Sequence, residues 1–198
     1  MLRAYGTEYY LNGSVVVRPS DIPLYANALS GRARGFELTA SRHDAARLSG
    51  WVSYAYGQLE YTDRLTGERY DADFDQRHTV NAYVRLGLSP RTSVSTRVRV
   101  GSNFPIAGYW EQREGLYYVG STRNRLRLPT YARVDARANR TFFVKRSRLT
   151  LFAEVLNVLA RENVRQSDPS VNRRTRQATG LLEELFPVLP SVGLLIEF

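Results

Sequence analysis

The chain has 198 residues, of which 43% are hydrophobic, and its mean hydropathy of −0.37 argues against both a disordered chain and a helical membrane protein. No run approaches the ~18–20 apolar residues of a spanning helix, and cysteine is absent, which excludes helical spans, disulfides and thiolate metal sites. The net charge is +9, with Lys145 as the only lysine, so the charge is compatible with nucleic-acid binding, a charged channel or loops that meet anions.

Period-two alternation predicts about seven strands from residue 33 onward. They lie at residues 36–41, 48–61, 78–88, 93–100, 131–143, 148–158 and 190–198. A further partial strand is expected near residues 9–18. Most of these strands have one apolar face and one polar face that carries full charges. Alternation alone does not distinguish the solvated face of a soluble sandwich from the lumen face of a barrel.

The connections between these strands alternate strictly between short and long. Short turns are predicted at 44–47, 89–91 and 144–147, and long polar connections at 62–77, 105–130 and 159–185. Outer-membrane barrels have this asymmetry, with tight periplasmic turns and extended extracellular loops. The pattern therefore favours an antiparallel membrane barrel, and it places the last strand end on the periplasmic side.

The last predicted strand alternates up to an aromatic residue. Val192, Leu194 and Ile196 share one face, and the sequence finishes on Phe198. A soluble protein seldom leaves such an amphipathic strand unprotected, because its open edge invites pairing with other chains. A closed barrel pairs its last strand with its first, so this strand also favours an outer-membrane barrel.

Several segments, in this order, resemble the carboxy-terminal part of the barrel of TonB-dependent receptors. They are Gly31 to Leu38, Trp51 to Tyr56, Phe74 to Thr79, Leu128 to Asp135, Phe152 to Val158 followed by Arg161 to Asn163, and Pro190 to Gly193 followed by Phe198. The resemblance spans roughly residues 31–198.

The resemblance implies an all-β fold in which residues 1–198 are one antiparallel transmembrane β-barrel segment of about seven or eight strands. It would correspond to the last third of a 22-stranded barrel whose plug domain and earlier strands are absent. The first residues also lack the basic and apolar regions of a signal peptide. We therefore expect a fragment that does not transport alone.

The resemblance further implies a non-enzymatic outer-membrane receptor that takes up a scarce ligand, such as a siderophore or cobalamin, with energy from TonB. Expected partners are outer-membrane lipid, lipopolysaccharide and the barrel-assembly machinery, with TonB and a plug domain only in the full-length protein. Val192, Leu194, Ile196 and Phe198 are the expected assembly signal, read by edge-strand pairing. No nucleic-acid partner is expected.

Candidate ligand-binding residues fall in two sets. Five arginines are expected on the lumen face, where they could attract an anion or plug carboxylates, or form a ladder with Asp135 and Glu154: Arg85, Arg97, Arg99, Arg133 and Arg137. In loop 105–130, Trp110, Tyr117 and Tyr118 could contact a ligand, although a girdle or loop-core role is the stronger interpretation. Residues 161–176 are predicted as a mobile basic loop near lipopolysaccharide phosphate, or merely solvated.

No catalytic residue, metal site or cofactor is predicted. His43 and His78 are the only histidines, without metal-ligand spacing, and His78 is expected to anchor a loop by hydrogen bonding. Asp71, Asp73 and Asp75 alternate as in a calcium loop but lack its glycine and glutamate, so a solvated loop is preferred. Two alternatives to a receptor remain: a small stand-alone barrel, porin-like or adhesin-like, and a soluble basic β-rich nucleic-acid-binding protein.

Overall fold

The protein is built from β-strands, and the computed structural model describes residues 3–5, 7–11, 14–18, 24–43 and 47–198, with side chains from residue 27 onward. In chain order the strands are β1 (Arg3–Tyr5), β2 (Thr7–Leu11), β3 (Ser14–Arg18), β4 (Leu24–Ala26), β5 (Leu29–Arg42), β6 (Leu48–Asp63), β7 (Arg69–Asp71), β8 (His78–Ser89), β9 (Thr92–Gly101), β10 (Tyr109–Arg113), β11 (Leu116–Arg123), β12 (Tyr131–Val144), β13 (Ser147–Leu156), β14 (Val164–Gln166), β15 (Ser170–Val171), β16 (Gln177–Thr179), β17 (Leu182–Glu184) and β18 (Leu189–Glu197). Among the described residues no helix is long and apolar enough to cross a membrane.

One large antiparallel sheet contains all seven predicted strands. Its order is β5-β6-β8-β9-β12-β13-β18, with the short β7 beside β6, so neighbours in the sheet are also neighbours along the chain. The all-β antiparallel prediction is confirmed. Within the described part of the chain β5 and β18 do not pair, so the sheet is open at these two edges.

Two predictions on the amino-terminal side need correction. β5 begins at Leu29 rather than at residue 36, because its pairing with β6 continues through Gly31 and Gly35, which interrupt the side-chain alternation. The single partial strand near residues 9–18 is instead two paired strands, β2 and β3. Asn12-Gly13 between them is a strong hairpin signal that the sequence interpretation missed. The predicted turn at 44–47 lies largely outside the described residues.

The large sheet has an apolar face and a charged face. One row on the apolar face runs across Ala40, Val52, Ala82, Val98 and Val134. The adjacent row on the charged face runs across Thr39, Ser53, Asn81, Arg99 and Arg133. The apolar face is open: Leu38 is 65% exposed and Val192 is 84% exposed. This face has no partner layer among the described residues.

At the loop end of the apolar face lies an aromatic cluster. Phe36 packs against Tyr54 and Tyr56 with ring centroids 5.9 Å apart in each pair. Both tyrosines also contact the imidazole of His78. Beyond this cluster on the same face Arg34 donates hydrogen bonds to Gln58, so polar side chains follow the aromatic ones. Such a sequence of apolar, aromatic and polar residues is typical of a membrane boundary.

The long connections fold on one another into a loop layer, which we define as residues 64–77, 102–130 and 157–188. Here β10, β11, β16 and β15 form a four-stranded sheet, and β14 pairs with β17. The segment 161–176, predicted as a mobile loop, therefore contains β14 and β15 and is part of this structure. Almost all of the buried apolar side chains of the described chain are here: Tyr70, Ala72, Ile106, Ala178 and Leu181.

Candidate functional site

A partly buried ion-pair network, centred on the buried Asp75, lies where two of the long loops meet. The Asp75 carboxylate accepts hydrogen bonds from Arg127 Nη2 at 2.5 Å, Arg77 Nε at 2.6 Å and the Leu59 amide at 2.6 Å. Both guanidinium groups also pair with Asp71. Two carboxylates and two guanidinium groups therefore neutralise one another in a site that is largely removed from solvent.

The pKa of Asp75 reflects this arrangement. Burial alone would raise it, but hydrogen bonds from Arg127, Arg77 and the Leu59 amide outweigh that effect and hold the pKa of Asp75 below its ordinary value. In return, the hydrogen bond to Asp75 raises the pKa of Arg77. The carboxylate is consequently charged at any physiological pH.

The same network joins loop 62–77 to loop 105–130. Asn124 Nδ2 donates to the Asp71 carbonyl at 2.7 Å and to Asp73 Oδ1 at 2.6 Å. The Tyr109 hydroxyl donates to Glu68 at 2.9 Å. The interpretation of Asp71, Asp73 and Asp75 as a solvated loop is therefore wrong for Asp75, which is buried. The structure pairs its charge with arginine, and no group of residues suited to a metal ion occurs in the described part of the chain.

Three of the five candidate arginines surround one depression on the charged face, with a volume of about 310 Å³. Arg133 Nε pairs with Asp135 at 2.6 Å, and Arg137 lies 4.0 Å from Glu154. Arg97 lies directly opposite Asp135 in the strand register. The expected arginine–carboxylate ladder is therefore present around this depression.

Aromatic rings cover two of these arginines. The Arg133 guanidinium lies 4.8 Å from the Phe186 ring centroid, and that of Arg137 lies 3.9 Å from the Phe152 centroid. Phe152 in turn covers Gly193 on β18, where an added Cβ would come within 2.2 Å of the ring. Arg137, Phe152 and Gly193 thus form a stack across three neighbouring strands, which a larger residue at 193 would disrupt.

Arg99 belongs to a different site. It lines a cavity of about 370 Å³ between β8, β9 and the loop layer. The cavity is also lined by Asn81, Phe104, Leu128, Arg165 and Leu185. Arg85 lines neither depression, although it lies on the same face as the other four arginines.

The loop aromatics are not brought together on one surface. Trp110 and Tyr117 share a face of the β10–β11 hairpin, while Tyr118 points to the other face because the register pairs it with Glu111. Trp110 Nε1 donates to the Ala107 carbonyl at 2.8 Å, and Tyr118 packs under Arg113. These contacts are internal to the loop layer.

The histidine and the assembly residues have simple surroundings. His78 Nδ1 is 2.8 Å from the Tyr54 hydroxyl, and its backbone amide donates to Ser102 Oγ at 2.8 Å, so it fastens the start of β8. Among the described residues β18 pairs only with β13, and Val192, Leu194 and Ile196 lie exposed on the apolar face beside Leu149 and Leu151. Phe198 follows the strand and is fully exposed.

A side-chain clamp fixes the base of loop 159–185. Asn157 has a positive φ of 56°, and its backbone N–H donates a hydrogen bond to Asp135 Oδ1 at 3.0 Å. The side-chain amide of Asn163 both donates to and accepts from the backbone of Ala132 at 2.9 Å, as a strand partner would. The Leu185 amide then donates to the Asn163 carbonyl, so the two ends of the loop meet at Asn163.

Sequence reasoning missed the clamp and the cavity for one reason. Arg127 and Asn163 are single polar residues in loops, and their partners Asp75 and Ala132 are 52 and 31 positions away. The only usable signal was the sequence alternation that places Asn81 and Arg99 on one face of adjacent strands. No local pattern places Phe104, Leu128 or Leu185 beside them.

Comparisons with known proteins match the chain to a family of β-barrels. A family model described as TonB dependent receptor-like, beta-barrel matches residues 6–158. The matched region contains every long strand of the large sheet except β18. Comparisons with curated proteins and with solved structures found no match.

Proposed function

The chain belongs to the TonB-dependent receptor-like β-barrel family, and from this premise we propose that it forms part of the wall of an outer-membrane receptor. The receptor takes up a scarce ligand, such as a siderophore or cobalamin, with energy delivered through TonB. Members of this family are transporters rather than enzymes. The activity proposed for this chain is therefore ligand binding and passage, without a covalent reaction on its residues.

The observation that carries this proposal is the two-faced sheet. One face presents apolar side chains along seven strands, with no covering layer in the part of the chain whose side chains are described, and Phe36, Leu38 and Val192 are each more than half exposed. Soluble proteins rarely expose apolar patches larger than a few hundred Å². A lipid surface is the environment that suits this face, and a water-filled or plug-filled lumen suits the arginine-rich one.

The open edges support a place within a wider barrel. β5 and β18 each have one unpaired side among the described residues, and a membrane barrel must pair every strand on both sides. We propose that the chain is the carboxy-terminal segment of such a barrel, with the plug domain and TonB as partners of the full-length receptor. The unpaired sheet edges favour this arrangement over a small barrel complete at eight strands.

We assign the β18 edge to assembly. Its free backbone groups can pair with a strand of the barrel-assembly machinery, and Val192, Leu194, Ile196 and Phe198 supply the apolar recognition. The exposed arginines of the loop layer, Arg173 and Arg174 among them, suit lipopolysaccharide phosphate as a neighbour.

Outer-membrane recovery of a tagged chain tests the proposal. The chain, expressed with a signal peptide in a Gram-negative host and fused behind the earlier strands that complete the proposed barrel, is expected in the outer-membrane fraction. Val52→Arg places a charge on the apolar face, which costs about 2–4 kcal/mol near the bilayer midplane, so its recovery falls sharply.

Ser53→Arg is the matched control, because it adds the same charge at the same depth but on the opposite face, beside Thr39 and Asn81. Its recovery is expected to equal that of the unaltered chain. Recovery of the unaltered chain in the soluble periplasmic fraction, or an equal loss from both substitutions, contradicts the proposal.

A further inference from the structure

The cavity at Arg99 combines an unpaired charge with apolar walls. Strands β8 and β9 form one side through Asn81 and Arg99, and the loop layer forms the other through Phe104, Leu128 and Leu185. Its volume of about 370 Å³ lies within the range of small-molecule sites, which are mostly apolar with a few placed polar groups.

Arg99 has no ion-pair or hydrogen-bond partner for its side chain within the described residues. It lies directly opposite Arg133 in the register of β9 and β12. Arg133 is neutralised by Asp135 and covered by Phe186, whereas Arg99, an exposed side chain, has no carboxylate paired with it in the described part of the chain. A bound anion supplies the opposite charge.

The other polar groups of the cavity support the same ligand chemistry. Asn81 lies beside Arg99 in the strand register, and its side chain also lacks a partner in the described part of the chain. Arg165 lines the opposite wall, and its guanidinium pairs with Glu183 at 2.8 Å. No carboxylate occurs among the described residues that line the cavity.

We propose that this cavity binds a small organic anion whose carboxylate or sulfonate pairs with Arg99 and Asn81 while a flat apolar body packs against Phe104, Leu128 and Leu185. The assignment rests on the proposed function and deepens it, since it names the class of ligand held at the loop end of the wall. The apolar lining disfavours a bare inorganic anion, because such an ion leaves these side chains without contacts.

The test compares two probes that differ in charge. The full 198-residue chain is refolded in a zwitterionic detergent, and binding of 2-naphthoate and of uncharged 2-naphthalenemethanol is measured by equilibrium dialysis, with protein-free micelles subtracted. We expect 2-naphthoate to bind at least about tenfold more tightly than the alcohol, because a hydrogen bond to a charged group is worth more than a neutral one.

Two substitutions of Arg99 test whether its charge binds the anion. Arg99→Gln is expected to weaken 2-naphthoate at least about tenfold without changing the binding of the alcohol, and Arg99→Lys retains most of the affinity. Arg85→Gln is the matched control, because Arg85 lies on the same face of the neighbouring strand, also without a described side-chain partner, and outside the cavity. Circular dichroism verifies that each variant folds.

Equal binding of the two probes to the unaltered chain overturns the inference, and so does an equal loss from Arg85→Gln and Arg99→Gln. Where Arg99→Gln does not refold, the comparison of probes on the unaltered chain decides. A chain that reaches the outer membrane but does not prefer 2-naphthoate refutes this inference alone. A chain that binds the anion but stays in the periplasm refutes the proposed function alone.

Discussion

The large sheet and the loop layer are stabilised in different ways. The sheet is held by continuous backbone pairing over long strands, with fourteen residues in β5 and sixteen in β6, while its apolar side chains remain exposed. The loop layer has strands of two to eight residues but contains nearly all the buried apolar side chains and the Asp75 ion-pair network.

This difference shows which part of the molecule is stabilised by removing its own apolar side chains from water. The loop layer buries Ile106 and Leu181 almost completely, so it obtains its hydrophobic stabilisation from its own residues, as a soluble domain does. The sheet obtains that stabilisation only where lipid covers its apolar face. We therefore expect substitutions in the ion pairs to destabilise the loop layer, and substitutions that disturb contacts between strands to destabilise the sheet.

The largest effect is expected from Asp75→Leu. Arg77 and Arg127 then share only Asp71, and the Leu59 amide loses its acceptor, which destabilises the loop layer by about 3 kcal/mol, at the lower end for a broken buried pair. Hydrogen exchange in detergent is expected to increase for residues 62–77 and 105–130 while β12 and β13 keep their protection. Asp168→Leu, at an exposed aspartate, serves as the control, and equal exchange in both variants contradicts the prediction.

A smaller effect, confined to the sheet, is expected from Gly193→Val. The new side chain displaces the Phe152 ring and with it the stacked Arg137, an overpacking that costs about 1–3 kcal/mol. The unfolding midpoint in urea falls for the sheet, and exchange at β18 and β13 rises. Ser191→Val on the same strand and face is the control, and an equal shift in both variants would refute the stack.

The smallest effect is expected from acid. The pKa of Asp75 is lower in the folded state than in the unfolded state, so its contribution to stability is complete above the unfolded value of about 4 and is lost as pH falls through the folded value. The protection factors of the loop-layer amides, which are corrected for the intrinsic pH dependence of exchange, are expected to stay constant from pH 7 to about pH 5 and to fall below about pH 4. In Asp75→Asn this acid dependence is reduced, and an unchanged acid dependence in that variant contradicts the assignment to Asp75.

The sheet was largely predictable because its information is local. Alternation in residues such as Val94 to Val100 specifies both the strand and its two faces, and short connections make sequence neighbours pair. The errors occurred where a side chain carries no pattern, as at Gly31 and Gly35 within β5. The pairing of β2 with β3 was predictable, because Asn-Gly between two apolar runs is a hairpin signal in the sequence.

The loop layer was not predictable from the sequence, because its stability depends on distant pairs. Asp75 and Arg127 are 52 positions apart, and nothing in the local composition distinguishes their loops from solvated ones. Of the candidate site residues, the shared face of the five arginines followed from strand alternation. The placement of four of them in two depressions, and of Arg85 in neither, depends on the folded loops, which bring Leu185 to the cavity at Arg99 and Phe186 over Arg133.

The Asn163 clamp has a consequence for how such a receptor can diversify. The side-chain amide of Asn163 completes the pairing of Ala132, and its carbonyl receives the Leu185 amide, so residues 164–184 leave and rejoin the wall at a single hydrogen-bonded point. A segment of different length or composition can be exchanged there without altering the register of β12, β13 or β18. The wall is thus a constant frame, but β16 within this segment pairs with β11 and Leu181 is buried, so a replaced segment has to change together with the loop on which it packs.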